Sequence, residues 1–243
     1  MDHLTRADGI RLACHLREGR GPTIIFLPGY MSDMSGSKAL ALEAWAVAEG
    51  RNFLRFDYAG CGQSDGAFED QTLTSWRDDV LLMIDTLASG PVVLVGSSMG
   101  GWLMLLVALA RPARVAGLVG IAAAPDFTDW GYSQEQKREI LTKGRLAQPS
   151  PYGTDPTIIT KAMWQSGKAN RLLQSSVGID CPVRLLHGQG DPDVPWHHSP
   201  HLATRIRSDD VQVTLVKDGD HRLSRERDIA LLLRIVGDLV ESL

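Results

Sequence analysis

Apolar residues along this chain fall into short runs separated by clusters of Gly, Pro and polar side chains. Brief runs rich in β-branched and aliphatic residues predict strands over 10–16, 23–27, 52–57, 92–95, 115–121, 183–186 and 211–216. Stretches with helical spacing predict helices over 38–49, 74–88, 101–110 and 199–207, with a closing helix from Arg225 onward. The first strand shows only the loose alternation of a sheet edge. Thr23-Ile24-Ile25-Phe26-Leu27, ending at Pro28-Gly29, is instead a continuous apolar run, the pattern of a strand covered on both faces. Strands alternating with helices predict an α/β fold: a mostly parallel central sheet, helices on both faces and right-handed crossovers.

One stretch breaks the rhythm. Residues 126–180 separate two strand candidates by far more than a crossover helix needs, and their polarity is mixed. They are expected to form a small helical cap insertion, with helices over 133–146 and 156–173 and a break at Pro149-Ser150-Pro151. The whole chain, cap insertion included, suits one domain spanning 1–243.

Composition narrows the function classes. A net charge of −4, with acidic and basic residues scattered, offers no basic stripe for a phosphate backbone, so no nucleic-acid partner is expected. The longest strongly apolar run, Trp102 to Ala110, is about half of the roughly 20 residues that span a bilayer, so it is expected to be a buried helix and no transmembrane segment is expected. Cys14, Cys61 and Cys181 are odd in number and far apart, which suits free thiols in a reducing compartment. The N-terminal residues lack a secretory pattern, so the expected location is cytoplasmic, or mitochondrial for a processed form.

Gly96-Ser97-Ser98-Met99-Gly100 matches G-x-S-x-G between a predicted strand and a predicted apolar helix, where a nucleophilic serine would sit on a sharp turn. The residues two before and two after that serine must be small so that strand and helix backbones can approach, and only Ser98 is in frame. A tight Gly/Ser turn without chemistry is the bland alternative, but the position between strand and helix favours the nucleophile. A serine hydroxyl needs a base to take its proton and a group to orient that base. Asp191 lies in the loop after the strand over 183–186, and His221 in the loop after the strand over 211–216. The chain order Ser, Asp, His is the one expected for such a sheet.

Each candidate has a competitor. Asp193 lies in the same turn as Asp191 and is the alternative, more suited to solvent or to capping the next helix. His187 is expected to pack or hydrogen-bond at its strand end. His197 and His201 stand at i, i+4, but no third ligand is apparent from a neighbouring strand, so no metal is expected. The backbone N–H groups of Tyr30 and Met99 are the expected oxyanion donors, one from the loop after the first buried strand and one from the residue after the nucleophile. Met31, Trp130, Met163 and Trp164 are candidates to line an acyl pocket, with ordinary packing an equal alternative for each.

Several segments together resemble the α/β-hydrolase superfamily and, within it, the branch of abhydrolase domain-containing protein 10. They include Leu27-Pro28-Gly29-Tyr30, Arg55-Phe56-Asp57-Tyr58, Ser64-Asp65-Gly66, Val95 through Met104, Cys181 through Gly188, Val194 through His197 and Asp220-His221-Arg222. The resemblance extends over nearly the whole chain and is weakest in the cap. It implies an α/β-hydrolase fold, a serine hydrolase without cofactor, and Ser98, Asp191 and His221 as its catalytic residues. It also implies an acyl-protein or an acylated small molecule as substrate, cleaved as a palmitoyl thioester or an acyl-glucuronide. The alternatives are a general carboxylesterase for small esters and a hydrolase fold kept as a non-catalytic binding module.

Overall fold

The computed structural model describes residues 2–150 and 153–243. Its centre is an eight-stranded sheet made of β1 (Asp2–Thr5), β2 (Arg11–Arg17), β3 (Arg20–Leu27), β4 (Arg51–Phe56), β5 (Val92–Ser97), β6 (Val115–Ile121), β9 (Val183–Gly188) and β10 (Val211–Val216). The spatial order is β1-β2-β4-β3-β5-β6-β9-β10. The pairs β1–β2 and β2–β4 are antiparallel, and every later pair is parallel. The chain therefore enters through antiparallel strands before it winds the parallel part of the sheet.

The apolar runs have a direct physical cause. Successive strand side chains point to opposite faces. In β3, Ile24 and Phe26 join one core with Ala39, Leu42, Leu232 and Val236, while Ile25 and Leu27 join a second core with Trp76, Val80 and Leu103. Helices α1 (Ser37–Ala48) and α8 (Glu226–Glu241) thus cover one face, and α2 (Leu73–Leu87) and α3 (Met99–Ala110) cover the other. Strand β5 divides in the same way, with Val93 and Val95 on the α1 side and Val92 and Leu94 on the α2 side. The apolar run after Trp102 forms most of α3, which is buried from Met99 through Ala108.

Two sequence-based expectations are corrected. The strand near residue 10 is not the edge, because β1 pairs outside it in register Leu4 to Leu12. The mostly exposed Asp-His-Leu-Thr of β1 carries no burial signal that would have marked it. The segment 126–180 is also not two long helices. It contains α4 (Phe127–Trp130), α5 (Gln134–Lys143) and α6 (Lys161–Ala169), with an antiparallel ribbon of β7 (Arg145–Gln148) and β8 (Thr157–Thr160) between the last two.

The reasons are local. Gly144 adopts φ 83°, the left-handed conformation that ends a helix, and so stops α5 early. Thr157-Ile158-Ile159-Thr160 is a β-branched run that favours a strand. Thr160 then starts α6, its side chain accepting from the Met163 amide at 3.1 Å. Of the expected break, Pro149 and Ser150 lie between β7 and β8, and Pro151 falls outside the described residues. The last expected strand, helix 199–207 and the closing helix appear as β10, α7 (His198–Arg205) and α8.

Close approach at the start of α3 gives a stability prediction. A Cβ on Gly100 would overlap the carbonyl oxygen of Leu27, and one on Gly96 would overlap the carbonyl of Gly100. A Cβ on Gly90 would meet nothing within 4 Å. Gly100→Ala is expected to lower the unfolding free energy by about 1–3 kcal/mol, the usual cost of forcing extra volume into a packed region. Gly90→Ala is expected to stay within about 0.5 kcal/mol of the parent. Urea denaturation of both variants checks this; equal midpoints would contradict the packing described.

Candidate active site

The parallel strands bring three loops to one edge of the sheet, because β5, β9 and β10 all end there. The loop after β5 is the shortest: Ser98 follows the strand directly and α3 begins at Met99. Ser98 has φ 54° and ψ −116°, a left-handed backbone that a non-glycine residue adopts at a cost of about 1–3 kcal/mol. Its amide donates to the Ile121 carbonyl at 2.9 Å, and its carbonyl accepts from Gly101 and Ala124. Those bonds hold the strained turn.

The loop after β9 carries Asp191, whose side chain is fully buried. Its Oδ1 accepts from the backbone amides of Asp193 at 2.8 Å and Val194 at 2.9 Å. Its Oδ2 lies 2.8 Å from Nδ1 of His221 and 3.2 Å from Nε2 of His187. Burial pushes the carboxyl toward its neutral form, but the hydrogen bonds from His187, His221 and Val194 outweigh it and hold Asp191 well below the usual carboxylate range.

The tautomers follow from these partners. A carboxylate oxygen only accepts, so His221 Nδ1 carries a hydrogen and Nε2 presents its lone pair. That Nε2 is 3.2 Å from the Ser98 Oγ. His187 is buried, and its Nε2 faces two acceptors, Asp191 Oδ2 and the Val194 carbonyl at 3.0 Å, so it too is protonated there. Its Nδ1 meets the Ser199 hydroxyl at 2.7 Å. The arrangement lets the Ser98 hydroxyl pass its proton to an imidazole whose far side is held by a buried anion.

The loop after β3 completes the edge. A Cβ on Gly29 would lie 3.4 Å from the Ser98 Cβ, so Gly29-Tyr30 runs beside the serine. Tyr58 fixes this loop by donating to the Pro28 carbonyl at 3.2 Å. The Tyr30 ring packs edge-on against Phe68 and Trp76, and its hydroxyl donates to the Ile158 carbonyl at 2.6 Å, joining the loop to β8. Met99, the other expected amide donor, is the first residue of α3, where helix amides lack intrahelical acceptors.

A cavity of about 380 Å³ opens over Ser98 and His221. Phe26, Pro28, Tyr30 and Met31 supply its apolar lining. Charged groups come from Asp33, Lys38, Asp155 and Arg222. Of the four expected acyl-pocket residues, Met31 alone lines this cavity, half exposed at φ 55°. Trp130, Met163 and Trp164 are not among its lining residues and make packing contacts, the alternative weighed for each. Trp164 donates from Nε1 to the Thr128 carbonyl at 2.9 Å, Met163 is buried in the same core, and Trp130 donates to the Pro125 carbonyl at 2.8 Å while stacking on His198.

Lys38 and Arg222 were missed as cavity residues. Arg222 had a signal in its adjacency to His221; Lys38, at the start of a surface helix, had none. Among the described residues, the group of metal-type side chains that converges is Asp191, Asp193 and His221, and two of these already bind each other. His197 and His201 do not converge with a third ligand in this group.

A mostly parallel eight-stranded sheet with helices on both faces is the architecture of the α/β hydrolases, and the hydroxyl, the imidazole and the buried carboxylate meet at its C-terminal edge. The chain belongs to that family: the family model described as alpha/beta hydrolase fold matches residues 22–151. It is a hydrolase. It is 46% identical over 244 residues to the mitochondrial palmitoyl-protein thioesterase ABHD10 of Bos taurus, covering 99% of this chain and 80% of that protein. The solved structure of mouse alpha/beta hydrolase domain-containing protein 10 superposes with a TM-score of 0.93 at 43% identity, covering 99% of this chain and 98% of that one. A putative hydrolase from Agrobacterium vitis S4 superposes with the same TM-score at 38% identity, covering 98% of each chain. Among the described residues, no helix is long and apolar enough to cross a membrane.

Two predictions follow from the geometry. A carboxyl held below its unfolded value of 3.8 stabilises the fold above that pH and loses the contribution as pH falls through and below it. The melting temperature of the parent is therefore expected to drop more between pH 6 and pH 3 than that of Asp191→Asn, as differential scanning fluorimetry would read; parallel curves would contradict it. Tyr30→Phe removes one partly buried hydrogen bond to the β7–β8 ribbon and is expected to cost about 1 kcal/mol, measured by chemical denaturation. An unchanged midpoint would count against that tether.

Proposed function

We propose that this hydrolase cleaves carboxylic thioesters or esters through an acyl-enzyme, with Ser98 as nucleophile, His221 as general base and acid, and Asp191 as the group that orients the imidazole. The observation that carries the reading is the series of contacts from Asp191 Oδ2 through His221 to Ser98 Oγ, at 2.8 and 3.2 Å. In the first step Ser98 Oγ bonds to the acyl carbon and its proton moves to His221 Nε2. The oxyanion is held by the backbone N–H groups of Tyr30 and Met99, favoured by the N-terminus of α3. The C–S or C–O bond then breaks, and the leaving thiolate or alkoxide takes the proton from His221. Water repeats the sequence and releases the acid. No metal or redox group is needed for these steps.

The naming of the bovine relative as a palmitoyl-protein thioesterase supports an acyl thioester as substrate. The polar and charged wall beside Ser98 supports a polar leaving group, such as a peptide thiol or a sugar hydroxyl. A peptide thiol fits the acyl-protein alternative and a sugar hydroxyl the acyl-glucuronide one, and neither is the leaving group of a simple alkyl ester.

The test is steady-state turnover of matched thioesters and oxygen esters that differ only in the leaving group. Ser98→Ala is expected to abolish turnover, and Asp191→Asn to lower kcat by about a thousandfold to ten-thousandfold with the fold intact. Polar leaving groups are expected to give higher kcat/KM than alkyl ones. Undiminished turnover by Ser98→Ala would overturn the mechanism, and preference for small alkyl esters would leave a general carboxylesterase. Ligand binding without any turnover would leave a binding module.

A further inference from the structure

The position of His221 rests on more than its bond to Asp191. The hydrogen bond at Nδ1 fixes one point of the ring, while the backbone of the turn that carries it sets where Nε2 falls relative to Ser98. At 3.2 Å the Nε2 to Oγ contact is already at the long end of hydrogen-bond range, so a small shift of the turn would break it. Inside the turn, Asp220 accepts from the Leu223 amide at 2.8 Å, and Leu223 adopts φ 44°. The Arg222 carbonyl, next in the chain after His221, accepts from the Ser224 hydroxyl at 3.0 Å. It also accepts from the Lys38 ammonium at 2.5 Å, a bond between groups 184 residues apart.

Lys38 is a rigid anchor for such a bond. It stands in the first turn of α1, whose Ala39, Leu42 and Ala46 are fully buried against the sheet. Lys38 also lines the cavity that holds Ser98 and His221. We propose that Lys38 is a positioning residue for His221: its ammonium clamps the backbone of the 220–224 turn to α1 and so maintains the distance from Nε2 to the Ser98 hydroxyl. The proposal rests on His221 being the general base.

The surroundings make this bond sensitive to pH. Burial and the Arg222 cation lower the Lys38 pKa to about 8, with Asp220 opposing them. Asp33 from the preceding loop, Asp155 from the cap, and Arg222 and His221 from the turn share the cavity wall with it. A protonated amine makes the stronger, charge-assisted bond to a carbonyl, so the clamp is full below pH 8 and weakens above it. An arginine at this place would stay charged throughout.

The test compares wild type, Lys38→Met and Lys38→Arg between pH 6 and pH 10. It reads the second-order rate of fluorophosphonate labelling at Ser98, together with kcat and KM for one acyl thioester. Lys38→Met is expected to slow labelling and kcat about tenfold to a hundredfold, the scale of a small misplacement of a catalytic group, with KM within about twofold. Wild type is expected to lose rate as pH rises through about 8. Lys38→Arg is expected to recover most of the rate and to lack that alkaline limb. Labelling of Lys38→Met at the wild-type rate, a change confined to KM, or a wild-type profile flat through pH 8 would overturn the clamp. The wild-type profile holds as a test even if Lys38→Met folds poorly. A wild type that takes no label at all removes the triad reading itself, whereas one that labels normally while Lys38→Met does the same removes the clamp alone.

Discussion

The backbone at Ser98 is the constraint on which the site depends. A left-handed turn between a buried strand and a buried helix lifts one side chain above the sheet edge, and it exists only because β5 and α3 approach without side chains between them. Gly96 and Gly100 provide that space, and Gly101 lies against Ala123 in the same way. Strain of about 1–3 kcal/mol is tolerable here because the apolar faces of β5 and α3 are buried so fully that the surrounding packing over-determines the turn. The position of the Ser98 side chain is thus a consequence of core packing.

Around that turn the polar groups are arranged to keep a charge buried. Asp191 is shielded from water yet accepts from two backbone amides and two imidazoles, enough to satisfy a carboxylate. His187 extends the network to Ser199 on α7, so the orientation of Asp191 is tied to β9 and α7 together. The cap is tied in as well, through the Tyr30 hydroxyl on Ile158 and the Trp164 indole on Thr128. The loop expected to supply an oxyanion amide is therefore also the loop that holds the cap ribbon.

How legible this was in the sequence varied with the physics behind each element. Strands buried on both faces, such as Val92–Ser97 and Val115–Ile121, exclude charged side chains and are apolar at most positions, so their runs stand out. Ser98, Asp191 and His221 could be read because each follows a parallel strand at the same sheet edge. Strand β1 gave no signal because its side chains are mostly exposed and backbone pairing alone places it. In the cap, Gly144 and the Thr-Ile-Ile-Thr run were local signals masked by the helical spacing around them. Trp130, Met163 and Trp164 illustrate a wider ambiguity: a large apolar residue near a site has the same pattern whether it lines a cavity or packs under it. Lys38 was invisible for another reason, since its partner is a backbone carbonyl on the far side of the chain.

The central claim is that acyl transfer passes through Ser98. Rapid-quench mass spectrometry during the first turnovers of an acyl thioester tests it most directly. The account predicts a transient mass gain equal to the acyl group, on the peptide that carries Ser98, appearing before free acid accumulates. Free acid formed with no such intermediate, or acyl mass on a different residue, would contradict it.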